Sequence, residues 1–470
     1  MTEHVTGQDT PRRRTRADRI GTGHRGRYLA VAVAMGAVLV TGCGADPDLV
    51  GAPVDDPSVI RIGLLSALEG PFKPFGEAAN QGAKLALLEA GGTLTGTGPL
   101  DTVTGATIAG KPIELSIEGS NHLSPDIAVN AARRLVEERG VDVIVGPTSG
   151  DEGLAVKNYM ISAPDVTLVN GSAAAQNMTL RDPVPNVFRF STDGTQWMAG
   201  LGTYAVEQGY DNIATVAEDY SFPYDQVGGF LTEFCGEGRT VEKRVWMPLG
   251  TNDFASYISL IPKDVDAVYV ALGGTDTVTF IRQLDEFTGR PDLPIIAGSL
   301  TVDPAIISQL GKRVDGTVSA GPVAVLNTPE YRRYAASLKQ YYPDSAPPGF
   351  ADVLYYVAMK ATLKAMESTG GDVAGRQTSF REALSAARFD TPQGPVKLDE
   401  NRQVIANNYL FQVTNGKSTL LREVENVTQT LGQDAAKYSV QPAFDRSNPV
   451  CDSPEPGPSR PATKPERSGR

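Results

Sequence analysis

Three histidines (His4, His24, His122) and three cysteines (Cys43, Cys235, Cys451) are the chain's whole supply of imidazoles and thiols. Two of the histidines fall in the first 24 residues, a stretch read below as a removable leader, which leaves His122 alone. Ser-His-Asp triads and imidazole-based metal sites need their His close at hand. A lone His therefore argues against hydrolytic chemistry. Ser149 has no matching His, and Gly171-Ser172-Ala173 lacks the flanking glycines of the strained Gly-x-Ser-x-Gly elbow. No Gly-x-x-x-x-Gly-Lys-Ser/Thr phosphate loop occurs either. The expectation is a binding protein, with no catalytic residue, no metal and no cofactor. The formal net charge of −12 argues against nucleic acid as partner, since that calls for a basic face.

The termini supply an address. Arginines 12, 13, 14, 16, 19, 25 and 27 precede an apolar run from Tyr28 to Val40, too short for a bilayer core that needs roughly 20 residues but right for the apolar region of a secretory signal. The run ends in Val40-Thr41-Gly42-Cys43, which resembles the lipobox of bacterial lipoproteins. That resemblance implies a signal peptide over residues 1–42, lipidation of Cys43 and a polar tether over 43–56. Two or more acyl chains then suffice to anchor the protein on the extracytoplasmic face of the cell membrane. Loss of the leader removes seven arginines against Glu3, Asp9 and Asp18, leaving about −16. Cys235 and Cys451 remain. Export permits them to pair, and a bridge would pin the start of the tail; the alternative is two free thiols. Residues 446–470, rich in Pro, Ser and charge, are expected to be disordered.

Between these ends, short apolar runs alternate with amphipathic stretches, the pattern of parallel sheets with crossover helices. Val59 to Leu65 reads as a strand and Gly76 to Ala90 as a helix, with Ala79, Ala83, Ala86, Leu87 and Ala90 on one face. Ser124-Pro125-Asp126 sets a cap, a first-turn proline and an acid in the order that starts a helix. Val141 to Val145, Val166 to Val169, Ile213 to Ala217, Val265 to Leu272, Ile295 to Ala297 and Val318 to Ala320 read as further strands. Thr195 to Gln208 and Thr275 to Phe287 read as helices. In open α/β sheets ligands bind at the carboxyl ends of strands, where helix N-termini converge. This selects the segments 70–76, 146–150, 170–175 and 219–225.

Those segments carry a resemblance. Arg61-Ile62-Gly63-Leu64-Leu65, Gly70-Pro71-Phe72, Phe75-Gly76, Gly82-Ala83, Val141 to Pro147, Phe188-Arg189 and Phe389 to Val396 occur in the order and spacing of the type I periplasmic binding proteins of branched-chain amino acid and amide ABC transporters. The similarity runs over roughly residues 57 to 415. It implies an α/β fold of two Rossmann-like lobes with parallel central sheets, joined by a three-crossing hinge near Ser191, Gly321 and Thr391. Lobe 1 would be 57–190 plus 322–390, and lobe 2 191–321 plus 391–440. Hinge closure on a small molecule would then be driven by contacts made to both lobes at once. The expected role is delivery of the ligand to the permease subunits of an ABC importer by a monomer. The alternative is a sensing receptor that signals to a membrane partner.

The resemblance also assigns ligand contacts. Phe75 matches the aromatic covering the ligand from lobe 1, and Tyr224 the tyrosine of the family's Y-G element in lobe 2. Relatives place a carboxylate-binding Ser four residues after the Gly of the Gly-Pro turn. Here that position is Gly150, with the hydroxyl one residue earlier on Ser149. Ala173 and Ala174 stand where a backbone carbonyl and an N–H meet the amino-acid head group, without the usual Thr hydroxyl. Ser299 lies after the strand where some relatives carry a Glu for the ammonium, and Asp303 is slightly too far along. An unpaired buried charge is costly. A neutral, polyhydroxylated, amide or aromatic ligand is therefore as much expected as leucine.

Overall fold

The computed structural model describes residues 56–70, 72–121, 124–288 and 293–451. The expected signal peptide, Cys43, nearly all of the expected tether, His122 and the tail beyond residue 451 lie outside the described residues.

Two sheets organise the chain. The first runs in the order Thr107–Ile108, Lys111–Ser120, Ile60–Ala67, Val143–Val145, Thr167–Asn170, Val187–Arg189, parallel except at its first strand. Alternation decides which side each residue serves. Ile62, Leu64, Val143 and Val145 pack on one side with the helices Lys73–Glu89 and Phe350–Ser368. Leu65, Ile144, Leu168 and Val187 pack on the other with Pro125–Arg133 and Gly150–Met160. A Cβ at Gly82 would strike the carbonyl of Asp352, so this glycine lets the first pair of helices approach closely.

The second sheet runs Thr240–Met247, Asn212–Glu218, Ala267–Ala271, Ile295–Ala297, Val318–Gly321, Val404–Thr414, Gly394–Leu398, Arg388–Thr391, with Lys417–Val427 also paired to Val404–Thr414. Its first five strands are parallel and the rest antiparallel. The chain passes between the sheets after Arg189, after Gly321 and before Arg388. Residues 388–390, expected in lobe 1, thus join the second sheet, because Phe389 pairs with Val396 and Asp390 with Pro395 in a hairpin.

Two elements differ from their sequence pattern. The helix expected over Thr195 to Gln208 is a 3₁₀ turn, Gln196–Met198, then a break at Gly200 (φ 85°) and a helix Leu201–Glu207. The long connection at 91–110 contains the short strands Thr93–Leu94, Val103–Thr104 and Thr107–Ile108. Pro125 does open its helix after Ser124, although the Ser124 side chain makes no cap bond.

Cys235, in the helix Ser221–Gly236, forms a disulfide with Cys451, their Cα atoms 5.4 Å apart. The segment before it is held along its length. Gln176 Nε2 donates to the Gln429 carbonyl (3.1 Å) and the Tyr438 hydroxyl (3.0 Å), and Arg181 donates to the Ser439 and Gln441 carbonyls. Arg446 pairs with Asp219, and Trp246 Nε1 donates to the Arg446 carbonyl (3.0 Å). The expectation of disorder from residue 446 is therefore corrected for residues 446–451, which the bridge and these bonds hold on lobe 2.

Candidate ligand-binding site

The strand Val143–Val145 runs into Gly146-Pro147-Thr148 and then the helix Gly150–Met160. Tyr355 gives its one phenolic proton to the Leu65 carbonyl (2.7 Å), so the Thr148 hydroxyl, 3.1 Å from Tyr355 Oη, is the donor of that pair. Thr148 Oγ1 in turn accepts from Ala67 N–H (3.0 Å). Thr148 is thereby fixed by the framework. Ser149 caps the helix: its Oγ accepts from Glu152 N–H and its own N–H donates to the Glu152 carboxylate, both at 3.3 Å. With the Glu152 N–H held by the cap, the Ser149 hydroxyl proton and the N–H groups of Gly150 and Asp151 face the space left for a ligand. Ser172 Oγ donates to the Thr148 carbonyl (3.1 Å).

The lobes meet around this turn. Gly194 N–H donates to the Ala174 carbonyl (2.8 Å), and Gln176 N–H to Asp225 Oδ2 (2.6 Å). A Cβ at Gly150 would lie 2.6 Å from Ser221 Oγ. Between them a cavity is lined at one end by Thr148, Ser149, Gly150, Ser172 and Ala174. Its walls are Phe72 and Phe350 from lobe 1, and Trp197, Tyr220, Phe222 and Leu300 from lobe 2. The Trp197 ring stands 5.2 Å from Phe222 and 5.6 Å from Phe350, centroid to centroid, so one aromatic surface spans both lobes. Among the described residues no charged side chain lines this cavity. Burial pushes the Tyr220 phenol up, keeping it neutral, and holds the Glu218 carboxyl behind it well above its usual range.

Of the residues expected to touch a ligand, Ser149, Gly150 and Ala174 line the cavity; Phe75, Ala173, Tyr224 and Ser299 do not. Phe75 packs behind the wall, 5.6 Å from Phe72 and 5.0 Å from Phe350, because Phe72 occupies the cap position that faces the cleft. Ala173 belongs to the core on the far side of the first sheet. Tyr224 follows Phe222 by two residues, about 200° around a helix. Its ring lies 4.9 Å from Trp246 and its hydroxyl donates to Asp219. Ser299 Oγ accepts from Gln226 Nε2 (2.7 Å), and its neighbour Leu300 supplies the wall. Trp197 was missed because it sat inside an expected helix. An aromatic next to a lobe crossing was the available signal. Among the described residues no cluster of three or more His, Cys, Asp or Glu is placed to hold a metal.

Residues 59–418 match the family described as periplasmic binding protein. The chain belongs to that family. This periplasmic binding protein is 24% identical over 361 residues to the Leu/Ile/Val-binding protein homolog 6 of Brucella melitensis, covering 76% of this chain and 87% of that one. An ABC transporter substrate-binding protein from Sphaerobacter thermophilus superposes with a TM-score of 0.69 at 28% identity, covering 78% of this chain and 98% of that one. A solute-binding protein of an ABC transporter from Rhodopseudomonas palustris BisB5, in complex with 3,4-dihydroxybenzoic acid, shares the fold with a TM-score of 0.70 at 23% identity, covering 79% and 99%. The protein is thus a two-lobed, type I solute-binding protein of the ABC transporter class, not an enzyme, in an extracytoplasmic family. Among the described residues no helix is long and apolar enough to cross a membrane.

Proposed function

We propose that this binding protein captures a small aromatic carboxylate and hands it to the permease of an ABC importer, held at the membrane by lipid on Cys43. The observation that carries the ligand class is the lining itself: an uncharged aromatic box with helix N–H groups and serine hydroxyls at one end. A carboxylate fits that end, where N–H groups and the helix dipole favour an anion. The ring of the ligand fits among Phe72, Trp197, Tyr220, Phe222 and Phe350. An amino acid would also bring an ammonium, and no lining residue offers it a carboxylate, so its desolvation goes uncompensated. The ligand of the R. palustris protein accords with this reading.

Isothermal titration of the mature protein with 4-hydroxybenzoate and with leucine tests the ligand class. Saturable binding of the benzoate and none of leucine is expected; tight leucine binding without benzoate binding would refute it. The anchor is tested separately by detergent-phase partitioning of the expressed protein, which Cys43→Ser should abolish.

A further inference from the structure

A second interlobe cavity, beside the ligand cavity, has an unusual charge pattern. Its lining includes Glu77 from the helix Lys73–Glu89, Asp344 and Asp352 from lobe 1, and Asp303 from lobe 2, and among the described residues no basic side chain. Two of these acids meet across the cleft. Asp303 caps the lobe 2 helix Pro304–Leu310, its Oδ1 accepting from Ala305 N–H (2.9 Å). Asp352 caps the lobe 1 helix Phe350–Ser368, accepting from Gly349 N–H (2.8 Å) and the Tyr334 hydroxyl (2.7 Å). A Cβ on Gly349 would lie 3.0 Å from Asp303 Oδ2 and 3.5 Å from Asp352 Oδ1, so a carboxyl from each lobe flanks this glycine. Both are buried, and the Asp303 carboxyl also accepts from the N–H of Phe350, a wall of the ligand cavity.

We propose that Asp303 and Asp352 form a proton-responsive latch, in which lobe closure takes up a proton from solvent. Two carboxylates forced together with no cation facing them cannot both stay ionised at little cost. Tyr334 and the backbone N–H groups relieve part of the repulsion; on the same cavity Glu77 is paired with Lys73 (3.6 Å) and Asp344 is exposed to solvent. Burial is the main cause holding Asp303 at about 6 and Asp352 at about 7 in the closed form, with the charge of Asp303 further raising Asp352. Opening separates and rehydrates the pair, returning both toward ordinary values. The sign follows: raised carboxyls favour the closed form at low pH, and that advantage is lost as pH rises through 6 to 7. The closed-to-open ratio falls by at most about tenfold per pH unit for each carboxyl that titrates.

The chain has two tryptophans, and Trp197 lines the cleft. In full-length protein carrying Trp246→Phe, emission without ligand reports closure through Trp197 alone, so the outcome does not depend on which carboxylate the cleft prefers. A blue shift from pH 8 to pH 5 is expected. Asp303→Asn, which keeps the helix cap and mimics the neutral acid, should make the titration shallower, Asp352→Asn should do the same, and the double variant should hold the blue-shifted emission throughout. The exposed Asp344→Asn should leave the titration in place. Emission that does not change with pH, or a titration that survives Asp303→Asn unchanged, overturns the latch.

Discussion

Arg189 ends the last strand of the first sheet, at the first crossing between lobes, and is fully buried. It donates to the Ala175 carbonyl (2.6 Å), to Thr179 Oγ1 (2.8 Å), to Gln403 Oε1 and to Asp193 Oδ2 (3.3 Å). Asp193 is equally buried and also accepts from Gln196 N–H (2.8 Å) and Gln429 Nε2 (2.7 Å). Replacing Arg189 by Met keeps the length of the side chain but strands the acid. Removing one partner of a buried pair costs about 3–5 kcal/mol, chiefly through the charge left behind. Urea unfolding at pH 7.5 should show a loss of that size, and Arg189→Met with Asp193→Asn should recover much of it in a double-mutant cycle. Burial already holds the Asp193 carboxyl above its usual value, with Arg189 drawing it back. In Arg189→Met it rises further. Its penalty is therefore fully present at neutral pH and above, and shrinks as pH falls and the acid becomes neutral. A deficit below about 1 kcal/mol, or one that grows on acidification, would refute the account.

Three further outcomes are expected. Phe350→Ala and Trp197→Ala should each lower the affinity for 4-hydroxybenzoate by at least about tenfold in calorimetry, since loss of one buried aromatic wall forfeits contact worth about 1.5–3 kcal/mol, whereas Tyr224→Phe should leave it unchanged. Cys451→Ser should lower unfolding stability by about 2–5 kcal/mol, as for loss of a native bridge, read as a drop in melting temperature that reductant reproduces in the wild type. Gly171→Ala should destabilise by about 1–3 kcal/mol through overpacking against the Tyr355 ring, followed by circular dichroism on heating.

The parallel sheets were legible because buried β-strands announce themselves as apolar runs: Val141 to Val145 and Val265 to Leu272 contain the observed Val143–Val145 and Ala267–Ala271. Ser149, placed at a helix start by the Gly-Pro turn before it, does cap that helix, with Glu152 completing the capping box. What the pattern did not carry is rotation. Whether Phe72 or Phe75, and Phe222 or Tyr224, faces the cleft depends on where each helix begins to within a residue, and helix starts are the least certain part of any periodicity. Ser299 and Leu300 pose the same difficulty in a 3₁₀ turn. The approach of Asp303 and Asp352 to Gly349 spans two lobes and is invisible to any local pattern.

The disulfide sets an order on the protein's own making. Synthesis delivers Cys235 216 residues before its partner. Throughout that interval the second lobe must hold a reduced thiol, and the strands from Arg388 to Val427 that complete its sheet are themselves late to appear. A polypeptide cut short anywhere before residue 451 leaves that thiol without its partner, a chemical mark by which truncated copies could be told from finished ones.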